Sequence, residues 1–447
     1  MEQSTPVAIA VVGIWHLGLV TSVCLADLGF LVVGVDPDAA KVERLNQGQP
    51  PLFETGIAER LPQHLASGVL RYTADMDDGV QHASHVLIAF DTPVDEDDEV
   101  DLREIYGSVE TMAASLRQDV TVIVSSQVPV GTCEELANII RANRPGLRFG
   151  IACVPENLRL GQAIQRFLHP DMIVVGADNA GTYEGVERVY DRVQAPRVHV
   201  NLRTAEMTKH AINAYLATTI SFTNELANIC DLVGADAVRV VEALRLDARV
   251  SPRAPLDPGF GFSGGTLARD MKVLQRIAQQ HDYEAPMIEG VLARNRLQNT
   301  VALRYIERFY GGWKGLTVGL LGLTYKPGTS TIRRSSAIEM LTSLVSGGAR
   351  VRAYDPMADP AELAPYQRSF TRCDSAYDVA TGSHALVLAT PWPEFKELDF
   401  DRLRLSMSKP LLVDPGNVLD ADDMARAGFA YQGVGRGTSQ GSGEFGP

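Results

Sequence analysis

The sequence has few cysteines, a shortage of positive charge and no long apolar run. Its 5 cysteines are scattered among 447 residues without Cys-x-x-Cys spacing, which argues against a disulfide framework and against a zinc site. Lysine and arginine total 41 against 55 acidic residues, and the net charge of -14 opposes binding to nucleic acids or anionic lipids. No apolar run approaches the roughly 18 residues of a membrane span. We therefore predict no metal site, no nucleic-acid partner and no membrane partner.

The composition that remains is that of a globular protein, with 45% hydrophobic and 21% charged residues. A chain of 447 residues is too long for a single hydrophobic core, so we expect two or three domains. Residues 1–6 lack the basic and apolar regions of a secretory signal, which predicts a cytoplasmic protein.

Short apolar runs alternate with helical patterns in two regions of the chain. In the first region, strand-like runs occur at residues 7–12, 30–35, 85–89, 120–125, 149–153 and 172–175. In the second, they occur at 318–322, 350–354, 385–389 and 411–414. Between the two regions, one helical pattern spans 204–246 and others lie within 265–303. Alternation of this kind is typical of parallel sheets covered by helices on both faces.

These patterns predict an α/β fold with two Rossmann-like, doubly wound parallel-sheet domains joined by a central helical domain. We expect the first sheet domain at residues 1–200, the helical domain at 201–305 and the second sheet domain at 306–436. Residues 437–447 are rich in glycine and serine and lack apolar anchors, which predicts a flexible tail.

The turn after the first strand carries the spaced glycines Gly13 and Gly18. In dinucleotide-binding domains such a turn lets the backbone approach the diphosphate, which binds free N–H groups at the start of the helix. Trp15 stands in the place of the middle glycine and weakens the motif. Asp36, at the end of the second strand, can accept hydrogen bonds from the adenosine ribose and disfavours a 2′-phosphate. We therefore predict that NAD is bound by Asp36 and by a turn formed by Gly13, Trp15, His16, Leu17 and Gly18. A sheet that has kept the fold without binding the cofactor is the alternative.

Residues 258–270, PGFGFSGGTLARD, resemble the active-site loop PGxGFGGSCFPKD of the UDP-glucose/GDP-mannose dehydrogenases. On that loop the family's cysteine falls on Thr266, its lysine on Arg269 and its aspartate on Asp270. Residues 155–161 resemble the family's NPEFLREG segment, 205–217 its AELIKYxxNAFLA helix and 322–335 its GLAFKPNTDDxRES motif. The matches follow the family's order over almost the whole chain, which makes the set more specific than any single motif.

The resemblance implies roles for the residues at matching positions. Lys209 and Asn213, four apart on one helix face, hold the substrate oxygen as hydride leaves, and Asp270 orders the water that removes the hydroxyl proton. The implied catalytic residues are Glu156, Lys209, Asn213, Thr266 and Asp270. Further implied cofactor contacts are Thr92, Gln127 and Arg333. The implied substrate contacts are Glu156, Leu158, Lys209, Asn213, Arg249, Phe260, Gly261, Gly264 and Lys326.

The resemblance also implies NAD as cofactor, a nucleotide sugar as substrate, and a homodimer formed through the helical middle. It does not identify the sugar or the base.

Thr266 leaves three alternatives open. In the family the cysteine traps the aldehyde for a second oxidation, because a thiolate is a strong nucleophile and a good leaving group. A two-electron dehydrogenase would release the aldehyde. A four-electron enzyme would need another thiol, for which Cys153 is the candidate, although a strand-end cysteine is more often a buried core residue. A noncatalytic relative would bind the nucleotide sugar alone.

We expect an NAD-dependent nucleotide-sugar dehydrogenase whose extent of oxidation is open, with the binding protein as the second hypothesis.

Overall fold

A computed structural model describes residues 8–92, 100–156 and 158–437 of the chain. The chain divides into two compact units between Ile212 and Asn213, within one long helix. In the described residues, no helix has both the length and the apolar character needed to cross a membrane.

The described part of the first unit contains one sheet of eight strands. The strands are β1 (Ala8–Val12), β2 (Leu31–Val35), β3 (Leu70–Thr73), β4 (His85–Ile88), β5 (Val120–Val124), β6 (Phe149–Cys153), β7 (Ile173–Ala177) and β8 (Arg197–Val200). Their order in the sheet is β3-β2-β1-β4-β5-β6-β7-β8. Neighbouring strands are parallel, except that β7 runs antiparallel to β6.

Helices cover both faces of this sheet. They are α1 (His16–Asp27), α2 (Ala39–Asn46), α3 (Ile57–Ser67), α4 (Met76–Val80), α5 (Arg103–Ala113), α6 (Thr132–Asn143), α7 (Ala163–Leu168) and α8 (Ala180–Tyr190). Alternate residues of a strand point to opposite faces. On β1, Ile9 and Val11 belong to one buried cluster while Ala10 and Val12 belong to another. The sheet is therefore buried on both sides, as a doubly wound sheet requires.

A helical region opens the second unit. It comprises α9 (Leu202–Val233), within which the unit begins, α10 (Ala237–Leu246), α11 (Thr266–Gln280), α12 (Pro286–Asn299) and α13 (Val301–Tyr310). Phe262 and Met271 are core residues of this region, packed with Ala217 of α9 and with Val291 and Leu292 of α12.

The second unit ends in a parallel sheet with six strands in its described part. The elements are β9 (Thr317–Leu321), α14 (Ser336–Ser346), β10 (Arg350–Tyr354), α15 (Pro360–Leu363), β11 (Thr371–Arg372), α16 (Ala376–Ala380), β12 (Ala385–Leu388), α17 (Phe400–Ser406), β13 (Leu411–Asp414), α18 (Ala421–Arg426) and β14 (Ala430–Gly433). The strand order is β11-β10-β9-β12-β13-β14. Since β9, β10, β12 and β13 stand in the same relation as β1, β2, β4 and β5, the two sheets share their central topology.

The predicted fold class is confirmed, because two doubly wound sheets are joined by a helical region. The three-domain boundaries stay a prediction. Of the predicted tail, residues 438–447 lie outside the described residues, while the backbone N–H of Gly437 donates to Asp231 at 3.2 Å.

Three details of the predicted elements were wrong. The helix predicted over 204–246 is two helices, because Gly234 adopts a φ of 72° after α9 and Asp236 caps the start of α10 by accepting from Val238 N. The first sheet is mixed, since Ala152 pairs antiparallel with Ala177. The short strands β3, β8, β11 and β14 were missed, since polar or charged residues break up their apolar pattern.

Candidate active site

Two glycines shape the turn that follows β1. Gly13 has a φ of 91°, and a Cβ built on it would lie 2.7 Å from the Phe90 ring. A Cβ on Gly18 would lie 1.8 Å from the carbonyl oxygen of Gly13. Neither position admits a side chain, so the turn closes against the start of α1 as a dinucleotide-binding turn requires.

Trp15 and Asp36 line a cleft of about 930 Å³ at the carboxyl ends of β1 and β2. Trp15 directly precedes α1, has non-helical backbone angles and is 48% exposed. The buried carboxylate of Asp36 accepts from the backbone N–H groups of Ile14 at 2.9 Å and Asp38 at 3.0 Å. It also accepts from the Lys41 ammonium at 2.8 Å. A carboxylate offers about four acceptor positions, so Asp36 keeps capacity for a ribose hydroxyl, and the turn and Asp36 together fit NAD.

Thr92 and Gln127 lie together on the loops that follow β4 and β5. The Thr92 hydroxyl donates to the backbone carbonyl of Gln127 at 2.9 Å. Among the described residues, neither these two nor His16, Leu17 and Gly18 belong to the lining of the cleft. Gly13, Trp15 and Asp36 are therefore the predicted cofactor residues that the cleft itself brings together.

Two carboxylates at the start of α1 were not predicted from the sequence. Asp91 accepts from the backbone N–H of Leu17 at 3.0 Å, and Glu54 contacts His16 Nε2 at 2.9 Å. Glu54 is buried and also accepts from Gly161 N at 2.8 Å, which ties the start of α1 to the loop after β6. Asp91 is exposed as a whole residue, but desolvation of its carboxyl by surrounding protein raises the pKa of that group. A signal for Asp91 was present, since it follows a strand that adjoins β1 and such strands end at the ligand-binding edge.

Lys209 and Glu156 meet in the first unit. Lys209 is 8% exposed, and its ammonium donates to the backbone carbonyl of Glu156 at 2.6 Å. The Glu156 carboxylate accepts from the backbone N–H of Leu158. The structure thus brings together Glu156 and Lys209, which are predicted to be both catalytic and substrate-binding, and the further predicted substrate contact Leu158.

Glu206, which was not singled out from the sequence, fixes the part of α9 that carries Lys209. Its buried carboxylate accepts from the backbone N–H groups of Gly131 at 2.6 Å and Cys133 at 2.7 Å. These N–H groups lie at the start of α6, where a carboxylate is stabilised by the unpaired donors and the helix dipole. Glu206 therefore anchors α9 close to Lys209.

Asn213, Thr266 and Asp270 are grouped by two helices of the second unit. The Asn213 side-chain amide donates to the Asp270 carboxylate, and the two side chains are 6% and 0% exposed. Arg269 Nε lies 4.0 Å from the same carboxylate. Thr266 is the exposed first residue of α11, one turn before Asp270. A buried carboxylate with an amide and a guanidinium beside it can hold a substrate hydroxyl or a water in a fixed orientation.

Side-chain amides hold the loop that precedes α11. Asn224 accepts from Gly259 N at 2.8 Å and donates to the carbonyl of Phe260 at 2.9 Å. Gln298 donates to the carbonyl of Gly259 at 2.6 Å. Asn224 and Gln298 are fully buried, so these bonds form away from competing water and fix the loop backbone.

At Gly261 and Gly264, two positions of the same loop, neighbouring residues leave too little room for a side chain. A Cβ on Gly261 would lie 2.4 Å from the side-chain oxygens of both Asn295 and Asn299. Gly264 has a φ of 77°, and its Cβ would lie 3.2 Å from the Tyr325 ring. The resemblance between this segment and the family loop therefore has a steric basis in this chain.

Three predicted ligand contacts are exposed in the second unit. Arg249 pairs with Asp247 at 2.7 Å while its side chain is 90% exposed. The Lys326 ammonium lies 5.4 Å from the centre of the Tyr325 ring. Arg333 lines a cavity of about 510 Å³. Their contacts with substrate or cofactor stay predictions.

A glycine-shaped turn after β1 and a carboxylate after β2 define a dinucleotide-binding protein of the doubly wound class. Family comparison assigns the three parts of the chain. The UDP-glucose/GDP-mannose dehydrogenase family matches through its NAD binding domain at residues 7–194, its central domain at 203–297 and its UDP binding domain at 319–421.

Individual relatives match along the same length. The chain is 37% identical to a UDP-glucose 6-dehydrogenase of Pseudomonas aeruginosa, covering 96% of this chain and 97% of the relative. It is also 37% identical to a UDP-glucose 6-dehydrogenase of Rhizobium meliloti, covering 96% and 99%. Among solved structures, a UDP-glucose dehydrogenase from Pyrobaculum islandicum matches with a TM-score of 0.86 at 32% identity, covering 97% of this chain and 99% of that one.

The chain belongs to the UDP-glucose/GDP-mannose dehydrogenase family. It is an NAD-dependent oxidoreductase that acts on an alcohol group of a nucleotide sugar.

Proposed function

We propose that the protein oxidises the C6 alcohol of UDP-glucose with NAD and releases the aldehyde. UDP-glucose is favoured because relatives that share 37% of their residues with this chain bear the name UDP-glucose 6-dehydrogenase. The observation that supports the proposal is the buried hydrogen bond between Asn213 and Asp270. Packing between two helices does not by itself require a polar pair.

Three side chains act on the C6 hydroxyl, and each has a separate role. The Lys209 ammonium, buried on α9, stabilises the negative charge that grows on the C6 oxygen, and the Asn213 amide holds the same oxygen. Asp270 orders a water that takes the hydroxyl proton. When bound, NAD accepts hydride from C6. The carbon thus loses a hydride and the oxygen loses a proton, which leaves a carbonyl.

Oxidation stops there because position 266 offers a poor nucleophile. The Thr266 hydroxyl has a far higher pKa than a thiol, and its β-branch crowds the oxygen. Cys153, the alternative thiol, is 1% exposed within the core of the first sheet. Burial of this kind disfavours the four-electron alternative that uses Cys153.

Product analysis tests the proposal. Incubation with excess NAD and UDP-glucose, an N-acetylated UDP-sugar or GDP-mannose is followed by mass spectrometry of the sugar product. We expect UDP-glucose to lose two hydrogens without gaining oxygen. Thr266→Cys places a thiol at the start of α11, where the helix dipole favours the thiolate, and we expect that variant to form the acid. Thr266→Ser is the matched control and should still yield aldehyde. Acid from the unaltered chain would refute the stalled oxidation.

We also propose that the protein is a homodimer that pairs through α9. Three large apolar residues, Tyr215, Phe222 and Ile229, recur every seven positions along that helix and are 61%, 57% and 50% exposed. Residues seven apart lie on one helix face, and an exposed apolar stripe of this size is typical of a protein–protein interface. The exposed Arg249 is then available to a partner subunit. The cytoplasmic location expected from the sequence stays a prediction.

A further inference from the structure

The first turn of α1 already contacts an anion from its own chain. Trp15, the residue before the helix, makes no side-chain hydrogen bond to the helix N–H groups, and no acidic residue lies in the first turn. The carboxylate of Asp91 supplies the missing acceptor and binds Leu17 N at 3.0 Å. Asp91 follows β4, the strand beside β1, so the sheet itself delivers this carboxylate to the start of α1.

A bound dinucleotide would accept hydrogen bonds from the same N–H groups at the start of α1. In doubly wound domains, the diphosphate binds at the N-terminus of the helix after the first strand, because unpaired donors and the helix dipole favour negative charge there. A carboxylate and a diphosphate cannot both accept from Leu17 N, and at short distance they repel one another. The cleft that would receive the dinucleotide is lined by Trp15, Asp36 and Asp91 itself.

We infer that Asp91 is an internal competitor of the NAD diphosphate and sets the affinity of this chain for NAD. Its carboxylate must leave Leu17 N before the diphosphate binds, and protonation favours this exchange because it weakens the hydrogen bond and removes the repulsion. The role differs from that of Asp36, which favours the dinucleotide through its ribose.

The groups around Asp91 predict how this competition depends on pH. Desolvation of the carboxyl raises the pKa of Asp91, and the nearby negative charge of Glu156 adds to the rise. The Leu17 N–H and the charge of His16 oppose it. Because the protonated carboxyl carries no charge, NAD affinity increases as pH falls toward this raised pKa. His16 contacts Glu54 beside the same turn, so the wild-type profile has to be compared with a variant that lacks the Asp91 charge.

Isothermal titration with NAD and with ADP tests the inference without measuring turnover. Asp91→Asn keeps the size of the side chain and removes its charge. We expect it to bind both ligands about tenfold more tightly at pH near 8, the equivalent of roughly 1.4 kcal/mol. The gain over wild type should shrink as pH is lowered, because the wild-type carboxyl then becomes neutral as well.

Glu104→Gln is the matched control, since Glu104 lines the same cleft on α5 rather than at the start of α1. It removes an equal charge and should change NAD affinity by less than about twofold. Thermal melting shows that each variant is folded. The inference is overturned if Asp91→Asn binds NAD no more tightly than wild type, if neither binds NAD, or if Glu104→Gln gives the same gain. Titration with UDP, which does not use this turn, should be unchanged and keeps the outcome separate from the proposed substrate.

Discussion

At the scale of single residues, Asp36 and Asp355 follow equivalent strands but are used differently. Asp36 accepts from one donor in the turn after β1 and from two donors at the start of α2. Asp355, after β10, accepts on one oxygen from Leu323 N, Thr324 N, the Thr324 hydroxyl and Trp392 Nε1, and on the other from two further backbone N–H groups. Burial favours the neutral acid, but the backbone donors outweigh it and keep the pKa of Asp355 below its ordinary value. Asp355 is saturated and structural, while Asp36 has capacity for a ligand.

Substitution of each aspartate by asparagine separates these two roles. An amide has one acceptor oxygen, so Asp355→Asn leaves several buried donors unpaired, and we expect it to lower the free energy of unfolding by about 2–4 kcal/mol. Asp36→Asn should cost less stability but weaken NAD binding about tenfold, because a charge-assisted bond to the ribose is lost. Urea unfolding and NAD titration of both variants measure the two effects. Equal stability of Asp355→Asn and wild type would contradict this account.

At the scale of elements, β4 carries a buried histidine, and burial disfavours the charged form of its side chain. His85 is the first residue of β4, an internal strand of the first sheet, and is 4% exposed. Burial, together with the charges of Arg188 and Arg117, lowers the pKa of His85 to about 4. Unfolded histidine has a pKa of about 6.5, so between these values the unfolded chain binds the proton and the folded chain does not. The stabilisation is therefore complete above about pH 6.5 and is lost as pH falls toward 4.

We expect His85→Gln to remove this part of the acid sensitivity. The wild type should lose about 3 kcal/mol of stability through this residue between pH 7 and 4, whereas the variant, although less stable at neutral pH, should show a shallower decline. Urea midpoints across that range measure the slope. His169→Gln, at an exposed position, is the control and should keep the wild-type slope. An unchanged slope in His85→Gln would show that β4 does not cause the acid sensitivity.

The sequence predicted most elements because their signals are local. Gly13 and Gly18 mark a turn, and alternating apolar runs mark buried strands, without reference to the rest of the chain. The antiparallel direction of β7 could not be predicted, since its apolar pattern is compatible with either direction. The contacts of Asp91 and Glu206 were also out of reach. Both carboxylates bind N–H groups of helices far away in sequence, so tertiary folding alone decides their partners.

At the scale of the whole molecule, the apolar stripe on α9 is exposed to water in the single chain, because packing within that chain does not cover it. Phe222 lies at its centre, between Tyr215 and Ile229. In a dimer, a charge at that position would be buried in the interface without a partner and would destabilise the dimer. In a monomer, the same charge would stay in water and cost little stability.

Phe222→Asp should therefore convert the protein from dimer to monomer. Phe53→Asp is a matched control, because Phe53 is 82% exposed and does not belong to α9. Light scattering after size exclusion gives the mass of each variant. We expect twice the chain mass for wild type and Phe53→Asp, and a single chain mass for Phe222→Asp. A wild-type monomer would contradict the dimer, and dimeric Phe222→Asp would show that α9 is not its interface.

We propose that this site performs the first oxidation of the sugar and stalls where a thiol would begin the second. Counting the NADH formed per UDP-glucose consumed, with sugar limiting and NAD in excess, tests it most directly. We expect one NADH per sugar for the unaltered chain and two for Thr266→Cys. Two NADH per sugar from the unaltered chain, or none, would contradict it.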